Sequence, residues 1–306
     1  MTTQLESCLS QTELPYRCEF DPHEIEAMAE CVEAHGFAIV KSFLPNDHVE
    51  ELKDSVRQVV NPNHDLGPGQ SRVFHAFIEH SPSLAKLLEN ESYHNISRRL
   101  LNTDSKDLTV HRSAAIIRNP GSSGMEWHSD WAPLSAAGTP PRNANEVLNT
   151  GQGPSGLWFY LTGSHPQRGG IAVMPDSHTA DWSGPEGFEF TAGRQSFHRK
   201  DQAAQAHHGP DVPGALPIVS DGGDLIVFAA RTYHAAMPHH GDEPRLSCAM
   251  GFRAGRSHWP TPWPLPASAK KFIASVPPAA FPLVEHYTGI VADWQPDFKG
   301  GANGVV

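Results

Sequence analysis

His128 and Asp130 stand two residues apart in Trp127-His128-Ser129-Asp130-Trp131, and His234 follows 106 residues after His128. That spacing constrains the backbone. Alternate side chains of a strand point to the same face, so one short extended segment can turn both groups toward a single metal ion. A strand remote in sequence then has to bring His234 alongside. Two histidines and one carboxylate form the facial set that holds non-haem Fe(II) and leaves positions open for oxygen chemistry.

The His-x-Asp spacing is weak by itself. With 19 His and 16 Asp in 306 residues, about one such pair arises by chance, and a second is present at His240-Gly241-Asp242. On spacing alone, His128 and Asp130 fit a solvated surface pair equally well. Context separates the two pairs. The second lies in Pro238-His239-His240-Gly241-Asp242-Glu243-Pro244, which reads as a turn. The first follows an apolar run, Ser113 to Ile117, and a Gly/Ser loop, Pro120 to Gly124.

Leu225-Ile226-Val227-Phe228, bounded by Gly223 and Asp224, suits a buried strand, and Arg245 to Met250 suits a returning one. A hairpin centred between His239 and His240 would set His234 directly opposite Arg245, on one face. A guanidinium can grip a carboxylate with two parallel hydrogen bonds. A co-substrate that chelates metal at one end and carries a carboxylate at the other would fit this pair. The competing reading of Arg245 is an ordinary strand-edge arginine.

The order His128-x-Asp130, then Gly169-Gly170-Ile171-Ala172-Val173-Met174-Pro175-Asp176-Ser177-His178, then Gly223-Asp224-Leu225, His234 and Arg245 resembles the phytanoyl-CoA dioxygenase family. These are Fe(II)/2-oxoglutarate oxygenases, and the resemblance covers roughly residues 25–255. It implies a mainly β (α+β) fold: a double-stranded β-helix, jelly-roll and cupin-like, with N-terminal helices packed on it. It implies Fe(II), 2-oxoglutarate and O2 as cofactor and co-substrates, with His128, Asp130 and His234 on the iron. Arg245 would hold the distal carboxylate of 2-oxoglutarate. Trp158 stands where relatives often place an aromatic against the co-substrate, although a packing tryptophan fits as well. Relatives often carry Ser or Thr two residues past the distal histidine; here that residue is Ala236, and Ser247 is the candidate replacement.

The implied reaction releases succinate and CO2 and hydroxylates, or desaturates, an unactivated C–H bond of a small molecule. Related halogenases lack the carboxylate ligand that Asp130 supplies here. Two other readings stay open: a cupin-like Zn or Mn enzyme without 2-oxoglutarate, and a non-catalytic small-molecule-binding domain. Trp127 and Trp131 flank the ligands on the opposite strand face, so both are expected to be buried supports. His178, His207, His208, His239 and His240 are not expected to bind the catalytic metal.

A net charge of −11 argues against nucleic acid and anionic membrane surfaces as partners. Cys8, Cys18, Cys31 and Cys248 show no Cys-x-x-Cys spacing, and neither a signal peptide nor an apolar run near 18 residues is evident. A cytoplasmic setting is therefore expected, without a Ser-Lys-Leu peroxisomal address at Gly301 to Val306.

Residues 1–20 are expected to form a loose arm. Residues 21–306 are expected to form a single domain: a helical part 21–105, a β-helix core from about 106 to 255, and a C-terminal extension 256–306. Asp21-Pro22 reads as the start of a helix that Gly36 ends. Further helices are expected from Asn46 or Asp47 to Val60, Ser83 to Leu88 and Ser92 to Leu101. Strands are expected at Phe37 to Val40 and Leu108 to Ile117. Loops 131–155 and 179–222, with the segment bearing Trp259, Trp263 and Trp294, are candidate substrate-facing elements. The primary substrate and the oligomeric state are not fixed by the sequence.

Overall fold

Leu225-Ile226-Val227-Phe228 offers no polar face to solvent. Its strand β10 (Leu225–Phe228) is accordingly buried on both sides, inside the largest of three sheets. The computed structural model describes residues 13–130, 156–179, 181–202, 205–254 and 265–287.

The larger sheet comprises β1 (Glu19–Phe20), β2 (Phe37–Val40), β3 (Ser71–His75), β4 (Leu108–Arg118), β5 (Gly156–Tyr160), β10 and β12 (Arg245–Ala254), in the order β1-β2-β10-β5-β12-β4-β3. Every pairing in it is antiparallel except β1 with β2. The smaller sheet comprises β6 (Ile171–Val173), β9 (Leu216–Pro217) and β11 (His234–Ala236), in the order β11-β6-β9. A hairpin of β7 (Phe188–Phe190) and β8 (Phe197–Arg199) stands beside it. Residues of both sheets line one cavity of about 340 Å³. This is the expected mainly β, jelly-roll-like arrangement with helices added, and the sheets do not close into a barrel.

Four helices precede the core: α1 (Ile25–His35), α2 (Asn46–Val60), α3 (Pro82–Ala85) and α4 (Glu91–Leu101). In α2 the buried residues are Val49, Leu52, Val56 and Val60, the three- and four-residue spacing of a single helix face. A fifth, α5 (Ala267–Ser275), buries Ala269 and Phe272. No helix among the described residues is long and apolar enough to cross a membrane.

Four expectations change. First, α1 begins at Ile25, because Asp21 to Glu24 closes a turn instead, with Glu24 N–H on Asp21 O at 2.9 Å. Gly36 does end the helix, with φ 83°. A Cβ there would also stand 2.6 Å from Thr232 Oγ1, so no other residue fits. Second, the described part of the arm is docked: Cys18 and Phe20 are buried, and β1 extends the sheet edge.

Third, His234 and Arg245 are not partners on a hairpin. His234 pairs with Val173 in the smaller sheet, and Arg245 pairs with Arg118 in the larger. The segment between them spends its hydrogen bonds elsewhere: His239 N–H donates to Ser122 O, and His240 N–H to Gln167 O. The chain thus crosses from one sheet to the other instead of folding back. Fourth, residues 181–202 and 205–222 line no part of the cavity. Trp182, Phe188, Phe190 and Phe197 are apolar surface that must be covered, and they cluster with Trp127 and Tyr233 behind the smaller sheet.

Candidate metal centre

The ligand segment is held as a strand. His128 N–H donates to His234 O at 3.0 Å and His234 N–H to His128 O at 2.9 Å, while Trp127 N–H reaches His207 O and Ser129 N–H reaches Gln195 O. Alternation then sends His128 and Asp130 one way and Trp127 the other. Trp127 is fully buried and donates Nε1–H to Gly209 O at 2.8 Å, the supporting role expected of it. Trp131 lies outside the described residues, as do Trp259, Trp263, Trp294 and loop 131–155.

Each histidine is oriented by a main-chain acceptor. His128 Nδ1 donates to Glu126 O at 2.8 Å, and His234 Nδ1 to Thr232 O at 3.0 Å. That fixes the tautomer and leaves both Nε2 lone pairs free for a metal. His128 Nε2 is 3.6 Å from Asp130 Oδ1, and His234 Nε2 is 4.0 Å from Asp130 Oδ2. The three ligand atoms lie within 4.8 Å of one another, the one such group among the described residues. Donors that share an ion at about 2.0–2.2 Å stand roughly 3–4 Å apart, so the set fits an iron ion after small movements. Burial, reinforced by His128, pushes the His234 imidazole down to about 4, which keeps it in the neutral, ligating form near pH 7.

The approach to His234 is braced by the Pro175-to-His178 stretch. Tyr233 N–H donates to Ser177 Oγ at 2.9 Å, Thr232 Oγ1 to Gly36 O at 2.7 Å and His178 Nε2 to Glu33 O at 2.9 Å. Ser177→Ala strands the buried Tyr233 N–H, so chemical denaturation should show a loss of about 1–3 kcal/mol. A loss below about 0.5 kcal/mol would contradict the bracing role.

Opposite the metal ligands, three adjacent strands of the larger sheet present one row of side chains each. β4 contributes Arg112, Ala114 and Ile116, β12 contributes Arg245, Ala249 and Gly251, and β5 contributes Trp158 and Tyr160. Ser247 occupies the same row between Arg245 and Ala249, with its Oγ buried and without a hydrogen-bond partner. Gly156 lets the Phe228 ring lie across β5, since a Cβ there would be 2.1 Å from Phe228 Cε1. Phe228 in turn packs 4.5 Å from the His234 ring, centroid to centroid.

Arg245 is 3% exposed, its Cζ 4.8 Å from the Tyr160 ring centroid and its Nε without a partner. A buried guanidinium short of acceptors is costly until an anion joins it. The residue therefore suits the far carboxylate of a metal-chelating 2-oxo acid. At the exposed end, Arg112 Nη2 is 3.4 Å from Asp130 Oδ2.

The structure thus gathers His128, Asp130, His234, Arg245 and Trp158 around one cavity, with Ala236 offering only a methyl group, while Ser247 lies buried on β12 between the lining residues Arg245 and Ala249. Sequence reasoning missed Tyr160, Arg112 and Arg118. The available signal was period two: Tyr160 follows Trp158 by two residues, and Arg112 and Arg118 share a parity on β4. His240 and Asp242 lie outside the metal-ligand group, as do the four other histidines set aside above.

A family model, Phytanoyl-CoA dioxygenase (PhyH), matches residues 32–247. The chain belongs to the phytanoyl-CoA dioxygenase family. This bears out the resemblance drawn from the motifs. No curated protein matches the chain.

Solved structures similar to this family member share its fold at low identity. EvdO2 from Micromonospora carbonacea var. aurantiaca has a TM-score of 0.53 and 18% identity, over 75% of this chain and 90% of its own. The epimerase SnoN, solved with Fe3+, alpha-ketoglutarate and nogalamycin RO, has 0.54 and 18%, over 76% and 85%. HygX from Streptomyces hygroscopicus, solved with nickel, 2-oxoglutarate and hygromycin B, has 0.54 and 14%, over 75% and 87%.

Proposed function

We propose that this family member is an Fe(II)- and 2-oxoglutarate-dependent dioxygenase that hydroxylates an unactivated C–H bond of a small molecule. The observation that carries this reading is the pairing, across one cavity, of a His-Asp-His set with a buried arginine that meets no carboxylate among the described residues. When bound, the metal and co-substrate supply an oxidation driven by O2 and by decarboxylation of 2-oxoglutarate to succinate and CO2.

The chain's own residues do the rest. The two Nε2 atoms and one Asp130 oxygen bind the iron on one side, leaving the cavity side open. Arg245, backed by Tyr160, holds the distal carboxylate. Ser247 Oγ–H, which has no partner among the described residues, can donate to the same carboxylate. Trp158, half-buried in the wall, packs against the co-substrate chain. Ile116, Phe228 and Met250 keep the surroundings apolar and exclude water. Retention of Asp130 favours hydroxylation or desaturation over halogenation. Nogalamycin RO in SnoN and hygromycin B in HygX support a small molecule as primary substrate. Cys18, Cys31 and Cys248 are free and buried, which suits the reducing cytoplasm.

The test is a metabolite panel screened for Fe(II)-dependent succinate release under 18O2. Hydroxylation adds one 18O atom to the product, whereas desaturation removes two hydrogens and adds no oxygen. A product formed without succinate would overturn the reading.

A further inference from the structure

Arg118 ends the cavity-facing row of β4 and stands directly opposite Arg245 on β12. It is 2% exposed and Arg245 is 3% exposed. Arg118 donates through Nη2 to the carbonyl of Ser123, in the loop leading to the ligand strand. Neither guanidinium has a carboxylate partner among the described residues, and the Nε of each is without an acceptor. The groups packed around them carry no negative charge. Tyr160 and Ser247 are neutral. His239 has both ring nitrogens engaged, Nε2 with Glu243 O and Nδ1 with Gly241 N–H. Two like charges side by side out of water repel more strongly than at the surface. Such a pair, with no counter-ion among the described residues, has room for an external one.

Resting on the co-substrate reading above, we propose that Arg118 is a second cation of the far-carboxylate pocket, a positioning residue that acts through Arg245. Arg245 touches the carboxylate. Arg118, directly opposite Arg245 on the neighbouring strand, supplies the remaining positive field and by repulsion keeps the Arg245 guanidinium turned toward the carboxylate. The pocket therefore selects 2-oxo acids that carry a distal negative charge over those that end in a methyl group. The competing role is purely structural: Arg118 would only pin the Ser123 loop.

The two roles separate in an anaerobic titration of the Fe(II)-loaded protein, read by its visible charge-transfer band. The probes are 2-oxoglutarate and 2-oxopentanoate, which chelates iron alike but lacks the distal carboxylate. Arg118→Met should weaken 2-oxoglutarate about tenfold and leave 2-oxopentanoate within about twofold of wild type. Arg118→Lys, which keeps the charge, should recover most of the loss. Arg118→Gln, which keeps a donor for Ser123 O, should behave as Met does and serves if the Met variant does not fold. Equal weakening of both probes, or unchanged 2-oxoglutarate binding, overturns the proposal. A wild-type protein that binds neither probe would instead overturn the co-substrate reading on which it rests.

Discussion

Asp130→Ala and His128→Ala are each expected to abolish Fe(II)-dependent turnover while leaving the fold intact. Both side chains are only partly buried, at 23% exposure each, and they face the cavity, so little packing is lost. Losing even an outer hydrogen-bond partner of a metal ligand costs roughly 10–100-fold in metal affinity, and losing a ligand should cost at least that. Metal content after desalting, together with 2-oxoglutarate consumption, measures the effect. Wild-type iron content and turnover in either variant would remove these residues from the metal.

Arg245→Ala is expected to weaken 2-oxoglutarate by roughly ten- to a hundredfold. A charge-assisted bidentate pair contributes on the order of 1.5–3 kcal/mol, and each 1.4 kcal/mol is about tenfold in affinity. Iron affinity should change little, because Arg245 lies in the sheet facing the ligand histidines. Arg245→Lys should recover only part, since one ammonium cannot reproduce the planar fork over Tyr160. Unchanged 2-oxoglutarate affinity in Arg245→Ala would leave Arg245 as a packing residue and favour a metal enzyme that does not use this co-substrate.

Local signals were legible where one physical effect dominates. Phe37 to Val40 and Leu225 to Phe228 are apolar throughout, and both form strands over those residues. Gly36 ends α1 because a positive φ and a close approach coincide there. His128-x-Asp130 showed one face of a strand, and its partner His234 was found by motif order.

What failed was anything that needed to know which strand lies beside which. The turn at residues 238–244 looked like a hairpin, but its polar groups are satisfied by residues 121–122 and 167, so the chain changes sheets. His234 and Arg245 still share the cavity, from opposite walls instead of from one face. Arg118 and Tyr160 become meaningful only once β4 and β5 are known to flank β12. Residues 179–222 read as a polar loop because their aromatics are scattered, and only the fold brings Trp182, Phe188 and Phe197 together behind Trp127.

If one cavity binds Fe(II) and 2-oxoglutarate together, adding both to the protein without oxygen reveals it. A weak visible charge-transfer band is expected in wild type, absent in Asp130→Ala and needing far more 2-oxoglutarate in Arg245→Ala. A folded, iron-loaded wild-type protein that shows no such band at saturating 2-oxoglutarate would contradict binding of the two together.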